Sequence, residues 1–181
     1  MSTAVIVLLF LISVVSGASA ATLGVPNYMQ SMSNWCWAAS IQMVTKYIVN
    51  RQPAQCDIVK KGFATPSSCP NNPANFTTEV QRGLEAYGVK NGTVWSSVTP
   101  EGIIQSEINA GRPMLIRYGY YPNLNGTGHM VVIKGHNLVG SEYRVTWNNP
   151  GTGTVVSGTY SYLVNNSTWK WTHSRTGLAK K

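Results

Sequence analysis

The hydrophobic period of this chain changes at Pro113, and that change limits the folds open to it. Before Pro113 the apolar residues recur at helical spacing; after it they fall into short β-branched or aromatic runs broken by Gly and Asn. The segment Cys36–Val49 (CWAASIQMVTKYIV) has apolar residues at 37, 41, 44 and 48, widened by 36, 43 and 47. So broad a stripe predicts a largely buried helix, with Ser33 and Asn34 as natural N-caps. A second helix is expected over Thr78–Tyr87, capped by Thr77 and stopped by Gly88. A third opens at Thr99-Pro100-Glu101 and ends at Gly111. Beyond Pro113, strands are expected over Met114–Tyr120, His129–Lys134, Glu142–Trp147 and Thr154–Ser157, with a last one around Trp169–Thr172 and a turn at Asn137–Gly140. Helices first and strands later argue for an α+β domain. In it an N-terminal helical half packs on a C-terminal antiparallel β-sheet half, with a crevice between them.

The segment Met1–Ala20 stands apart from this pattern. An uncharged apolar run, Ala4–Val15, leads into Ala18-Ser19-Ala20, the arrangement of a secretory signal peptide with its small-residue cleavage site. The run is shorter than the roughly 20 residues that span a bilayer. The expected mature chain is one exported domain, residues 21–181, without a transmembrane segment. Of the 181 residues only 11% are charged, yet the net charge is +8, which suits acidic partners or an anionic cell envelope. The basic residues are scattered, so no specific nucleic-acid surface is expected.

Export makes the three cysteines informative, because an oxidising compartment favours disulfides and an odd thiol is left over. Cys56 and Cys69 share a proline-rich, loop-like stretch and could close a loop of about 13 residues, worth about 3 kcal/mol. Cys36 stands alone in the first turn of the first helix, where unpaired backbone N–H groups and the helix dipole favour thiolate over thiol. A histidine would complete a nucleophile–base pair. Of His129, His136 and His173, the first is favoured: it follows Gly126-Thr127-Gly128 and opens an apolar strand. Asn148 or Asn149, at the end of the next strand, could orient the imidazole. Strand alternation favours Asn149, which shares parity with Tyr143, Val145 and Trp147; Asn148, with Arg144 and Thr146, is expected to face water. Gln30, six residues before Cys36, could donate to an oxyanion forming beside the sulfur.

Taken together, Gln30-(x)5-Cys36-Trp37-Ala38-Ala39 within VPNYMQSMSNWCWAAS, the Gly-His-apolar strand and the following Asn-Pro resemble papain-like cysteine peptidases. The nearest likeness is to the compact branch containing bacteriocin-leader peptidases and secreted bacterial effector proteases. The resemblance covers most of the mature chain. It implies a papain-like fold with its active site in the crevice, and a Cys36–His129–Asn149 triad with Gln30 as oxyanion donor. It also implies a protein or peptide substrate. Many members of that branch carry Asp where Asn149 stands, and no long inhibitory pro-region fits between Ala20 and Val25. The expected activity is that of a secreted cysteine endopeptidase, acting as a monomer with no cofactor and no metal. Two alternatives keep the scaffold: an amidase acting on cell-wall peptide crosslinks, and a catalytically inactive binding protein.

Overall fold

The computed structural model describes residues 20–181. The signal-peptide reading of Met1–Ala20 falls, apart from Ala20, outside the described residues. In chain order the elements are β1 (Ala21–Thr22), α1 (Cys36–Val49), α2 (Gln55–Phe63), α3 (Glu79–Ala86), β2 (Thr93–Trp95), α4 (Glu101–Asn109), β3 (Met114–Tyr120), β4 (Gly128–Val139), β5 (Glu142–Asn149), β6 (Thr154–Thr159), α5 (Tyr160–Val164) and β7 (Trp169–Thr176). The strands form one antiparallel sheet in the order β2-β7-β3-β4-β5-β6, and β1 pairs with β4 at Gly135 and His136. The α+β class and the span of α1 are as the sequence predicts.

The layering is not. Helices α1, α2 and α3 cover one face of the sheet, packing Ile41, Val44, Ile58 and Leu84 against Leu115, Met130 and Val132. The other face is covered too: Ile104 and Ile108 of α4 and Leu163 of α5 pack on Met114, Ile116, Val131, Ile133, Val145 and Trp147. The helical half therefore does not hold all the helices. This two-sided burial explains why Met114–Ile116 and Met130–Ile133 are buried without interruption rather than alternately. It also overturns the reading of Asn148 as solvent-facing. Asn148 is fully buried on the α1 face, and its Nδ2 donates to the carbonyls of Val25 (3.3 Å) and Pro26 (2.8 Å).

Three local expectations are also corrected. The stretch whose prolines predict a loop contains α2, a helix whose ends the flanking Pro53 and Pro66 punctuate. Asp57 in its first turn and Lys60 and Lys61 in its last complement the helix dipole. Strand β4 runs through the expected turn at Asn137–Val139, which still pair with Arg144–Glu142, and the chain reverses at Gly140 with φ 63°. Helix α1 begins after Trp35 with no side-chain cap. Asn34 is engaged instead with Asn71, its N–H donating to Asn71 Oδ1 (3.0 Å) and its Nδ2 to Asn71 O (2.9 Å).

The Cys56–Cys69 disulfide is present, with Cα atoms 5.2 Å apart. It joins the start of α2 to a segment whose next carbonyls hold the entrance of α1. Pro70 O accepts the Trp35 indole N–H (3.0 Å), and Asn72 O accepts that of Trp37 (3.3 Å). Cys36 lies between those two tryptophans.

Candidate active site

Cys36 is the first residue of α1, and its helix start has no side-chain acceptor to absorb the free N–H groups. Backbone hydrogen bonding from Met130, Trp37 and Cys36 itself favours the thiolate. Burial pushes the thiol above its ordinary pKa; those bonds and the Arg117 charge pull the other way without overcoming it. It is the free cysteine of the three and keeps part of its surface open to solvent.

His129 is the second residue of β4 and Asn149 the last of β5. Their side chains meet, His129 Nε2 lying 2.8 Å from Asn149 Oδ1. The Gly151 N–H donates to the same oxygen at 3.0 Å. An atom approached by a backbone N–H is the acceptor, so the His129 proton sits on Nε2 and Nδ1 is left free. Gly151 also closes over the ring, for a Cβ there would lie 3.0 Å from His129 Cε1. On the other side Tyr118 packs against the imidazole at 5.5 Å between centroids. Burial holds His129 below the ordinary histidine pKa, and the Asn149 bond offsets this only in part. Burial thus favours the neutral form of both the Cys36 thiol and the His129 imidazole.

Cys36 and His129 line one cavity of about 510 Å³, together with Trp37, Phe76, Arg117 and His173 among others. His136, the second candidate base, is elsewhere: it is buried, stacked on Tyr143, with Nε2 3.0 Å from Asn109 Oδ1. His173, the third candidate base, does reach the cavity wall. It packs on Phe76 at 5.6 Å and has Nδ1 3.0 Å from Thr172 Oγ1, with no amide or carboxylate to orient it. Gln30 is not on the wall. Both its amide protons are engaged, donating to Met32 O (2.9 Å) and Ser33 O (2.7 Å), and its buried Oε1 has no partner.

Two features escaped the sequence reading. Arg117 enters the cavity from the middle of β3, and its signal was available as the one charge in the apolar run MLIRYGY. Gly128, also on the cavity wall, makes room for Arg117: a Cβ there would stand 2.6 Å from the Arg117 Cζ and 2.6 Å from Tyr118 O. Among the described residues, no three His, Cys, Asp or Glu side chains converge on one point. No helix of the described residues is long and apolar enough to cross a membrane.

Compared with known families, residues 22–177 match the profile described as the Peptidase_C39 like family. No curated protein matches the chain.

Proposed function

This chain belongs to the Peptidase_C39 like family, a family of papain-like cysteine peptidases, and from that premise we propose that it is a secreted cysteine endopeptidase with Cys36 as nucleophile, His129 as base and Asn149 as the group orienting it. The observation that carries the assignment is that His129, bonded to Asn149, lines the same cavity as Cys36. A histidine whose Nε2–H is held by an amide oxygen presents Nδ1 as a base. A cysteine at an uncapped helix start has N–H groups ready for the negative charge that develops beside it.

In the proposed reaction His129 takes the Cys36 proton as the sulfur attacks the scissile carbonyl, forming an S–C bond and an oxyanion. The C–N bond then breaks as His129 passes that proton to the leaving amine. Water attacks the thioester, giving one proton to His129. The acid departs, and the proton returns to the sulfur. Gln30 is proposed as an oxyanion donor; to act it must release one of its two carbonyls and turn an N–H toward the sulfur. The papain-like crevice, the exported mature chain 21–181 and its monomeric state belong to the same proposal. The disulfide supports export, since such bonds persist in oxidising compartments.

The test is incubation of the purified mature protein with a diverse peptide mixture, read by mass spectrometry. New peptide termini should appear with the native protein and be absent with Cys36→Ala. Equal products from both proteins, or none from the native one, would remove the peptidase assignment.

A further inference from the structure

Among the described residues, Arg117 is the only formally charged side chain, apart from the histidines, on the wall of the cavity, and no Asp or Glu lines it. In the sheet it pairs with Met130 of β4 and His173 of β7, and both of these neighbours line the cavity with it. The guanidinium is held in place. Nη1 donates to Leu124 O (3.2 Å) and Thr172 Oγ1 (2.7 Å), and Nη2 donates to Gly126 O (2.7 Å). These bonds use three of the five N–H groups; the Nε–H and the second Nη2 proton have no protein acceptor.

Among the described residues no carboxylate pairs with it, and the one anion it faces is the Cys36 sulfur when ionised. The ion pairs among the described residues are Lys60–Asp57, Arg112–Glu107 and Arg144–Glu142. A half-buried guanidinium bonded only to neutral oxygens has lost part of its hydration without gaining a charge partner, which is costly unless a partner arrives. Arg175 offers a contrast within the same molecule. It too is bonded to carbonyls, those of Asn91 and Phe76, but it is completely buried and lies over the Phe76 ring, the position of a structural strut. Arg117 is left half open, on the wall of a cavity that also holds the nucleophile.

We propose that Arg117 is a specificity residue that binds a carboxylate of the substrate, so that the crevice selects peptides bearing an acidic side chain or a free terminal carboxylate near the scissile bond. Two unspent N–H donors on a fixed, planar cation match the two oxygens of a carboxylate. The proposal rests on the peptidase reading for its turnover measurement, but not for its binding measurement.

The experiment uses peptide pairs that differ only as Glu against Gln at successive positions around one cleaved bond, plus one pair ending in a free acid or a carboxamide. Each pair is measured twice: as kcat/KM with the native chain, Arg117→Gln and Arg117→Lys, and as equilibrium binding to Cys36→Ala with and without Arg117→Gln. At one position the acid should be preferred by about 10-fold or more, with the ratio falling to near 1 in Arg117→Gln and partly retained in Arg117→Lys. The Glu series and the terminal pair distinguish the two sources of the carboxylate. A purely structural Arg117 would lower every peptide alike and leave the ratio unchanged. Equal binding of acid and amide by Cys36→Ala in every pair, or a preference that survives Arg117→Gln, overturns the proposal. Acid-selective binding without any cleavage by the native chain would instead remove the peptidase reading and leave the carboxylate site standing.

Discussion

At Cys36 two opposing effects meet in one atom. A helix start and three N–H groups favour the thiolate; the close protein surroundings favour the thiol, and burial prevails. His129 is displaced in the complementary direction, toward its neutral form. The reactivity of Cys36 should therefore follow its own deprotonation. Carbamidomethylation by iodoacetamide should climb through the alkaline range, where a raised thiol pKa puts the thiolate, and should not level off below pH 7. A rate already flat between pH 5 and 7 would mean a standing thiolate–imidazolium pair. Gln30 poses a related question, because its amide protons are occupied at rest. If it turns toward the oxyanion, Gln30→Ala should lower kcat by roughly 100-fold with KM little changed. A change in KM alone would assign it to the loop that its two carbonyl bonds hold.

The elements show what was legible beforehand and what was not. Helix α1 was readable to the residue, since a 14-residue apolar stripe outweighs local detail. Cys36, His129 and Asn149 stand out as candidates because each lies at an element boundary marked by Gly, Pro or a capping pattern. Helix α2 was hidden: its buried apolar residues are only Ile58 and Val59, and its stability comes from packing that no local window contains. The face of Asn148 was unreadable for a similar reason. Alternation assigns a strand two faces but does not say that helices cover both. The consequence is measurable at the end of β5. Asn149→Ala should cut kcat strongly at nearly unchanged Tm, with Asn149→Asp keeping more activity. Asn148→Ala should strand the carbonyls of Val25 and Pro26 at a cost of about 1–3 kcal/mol, seen as a Tm lower by several degrees. If Asn148→Ala leaves Tm untouched while abolishing activity, the roles of the two asparagines are reversed.

On the scale of the whole molecule, the sheet carries one helical layer that presents Cys36 and a second that packs on the opposite face of the strands bearing His129 and Asn149. The helical layer over Cys36 is held through its neighbours, and one covalent bond stands behind them. Cys56–Cys69 secures the segment whose carbonyls hold Trp35 and Trp37. Its consequence is electrochemical. In a strongly oxidising medium Cys36 is itself lost as a sulfenic acid or mixed disulfide. In a strongly reducing one the tether behind it opens. Activity plotted against the dithiol-to-disulfide ratio of the buffer should therefore rise and then fall, whereas a chain carrying Cys56→Ser and Cys69→Ser should start lower and only rise. A native chain whose activity climbs without limit into full reduction would show that the tether is dispensable. With a peak in between, the habitual excess of reductant in thiol-enzyme assays would conceal this protein's working state, and the ambient thiol couple would itself act as a band-pass filter on its activity.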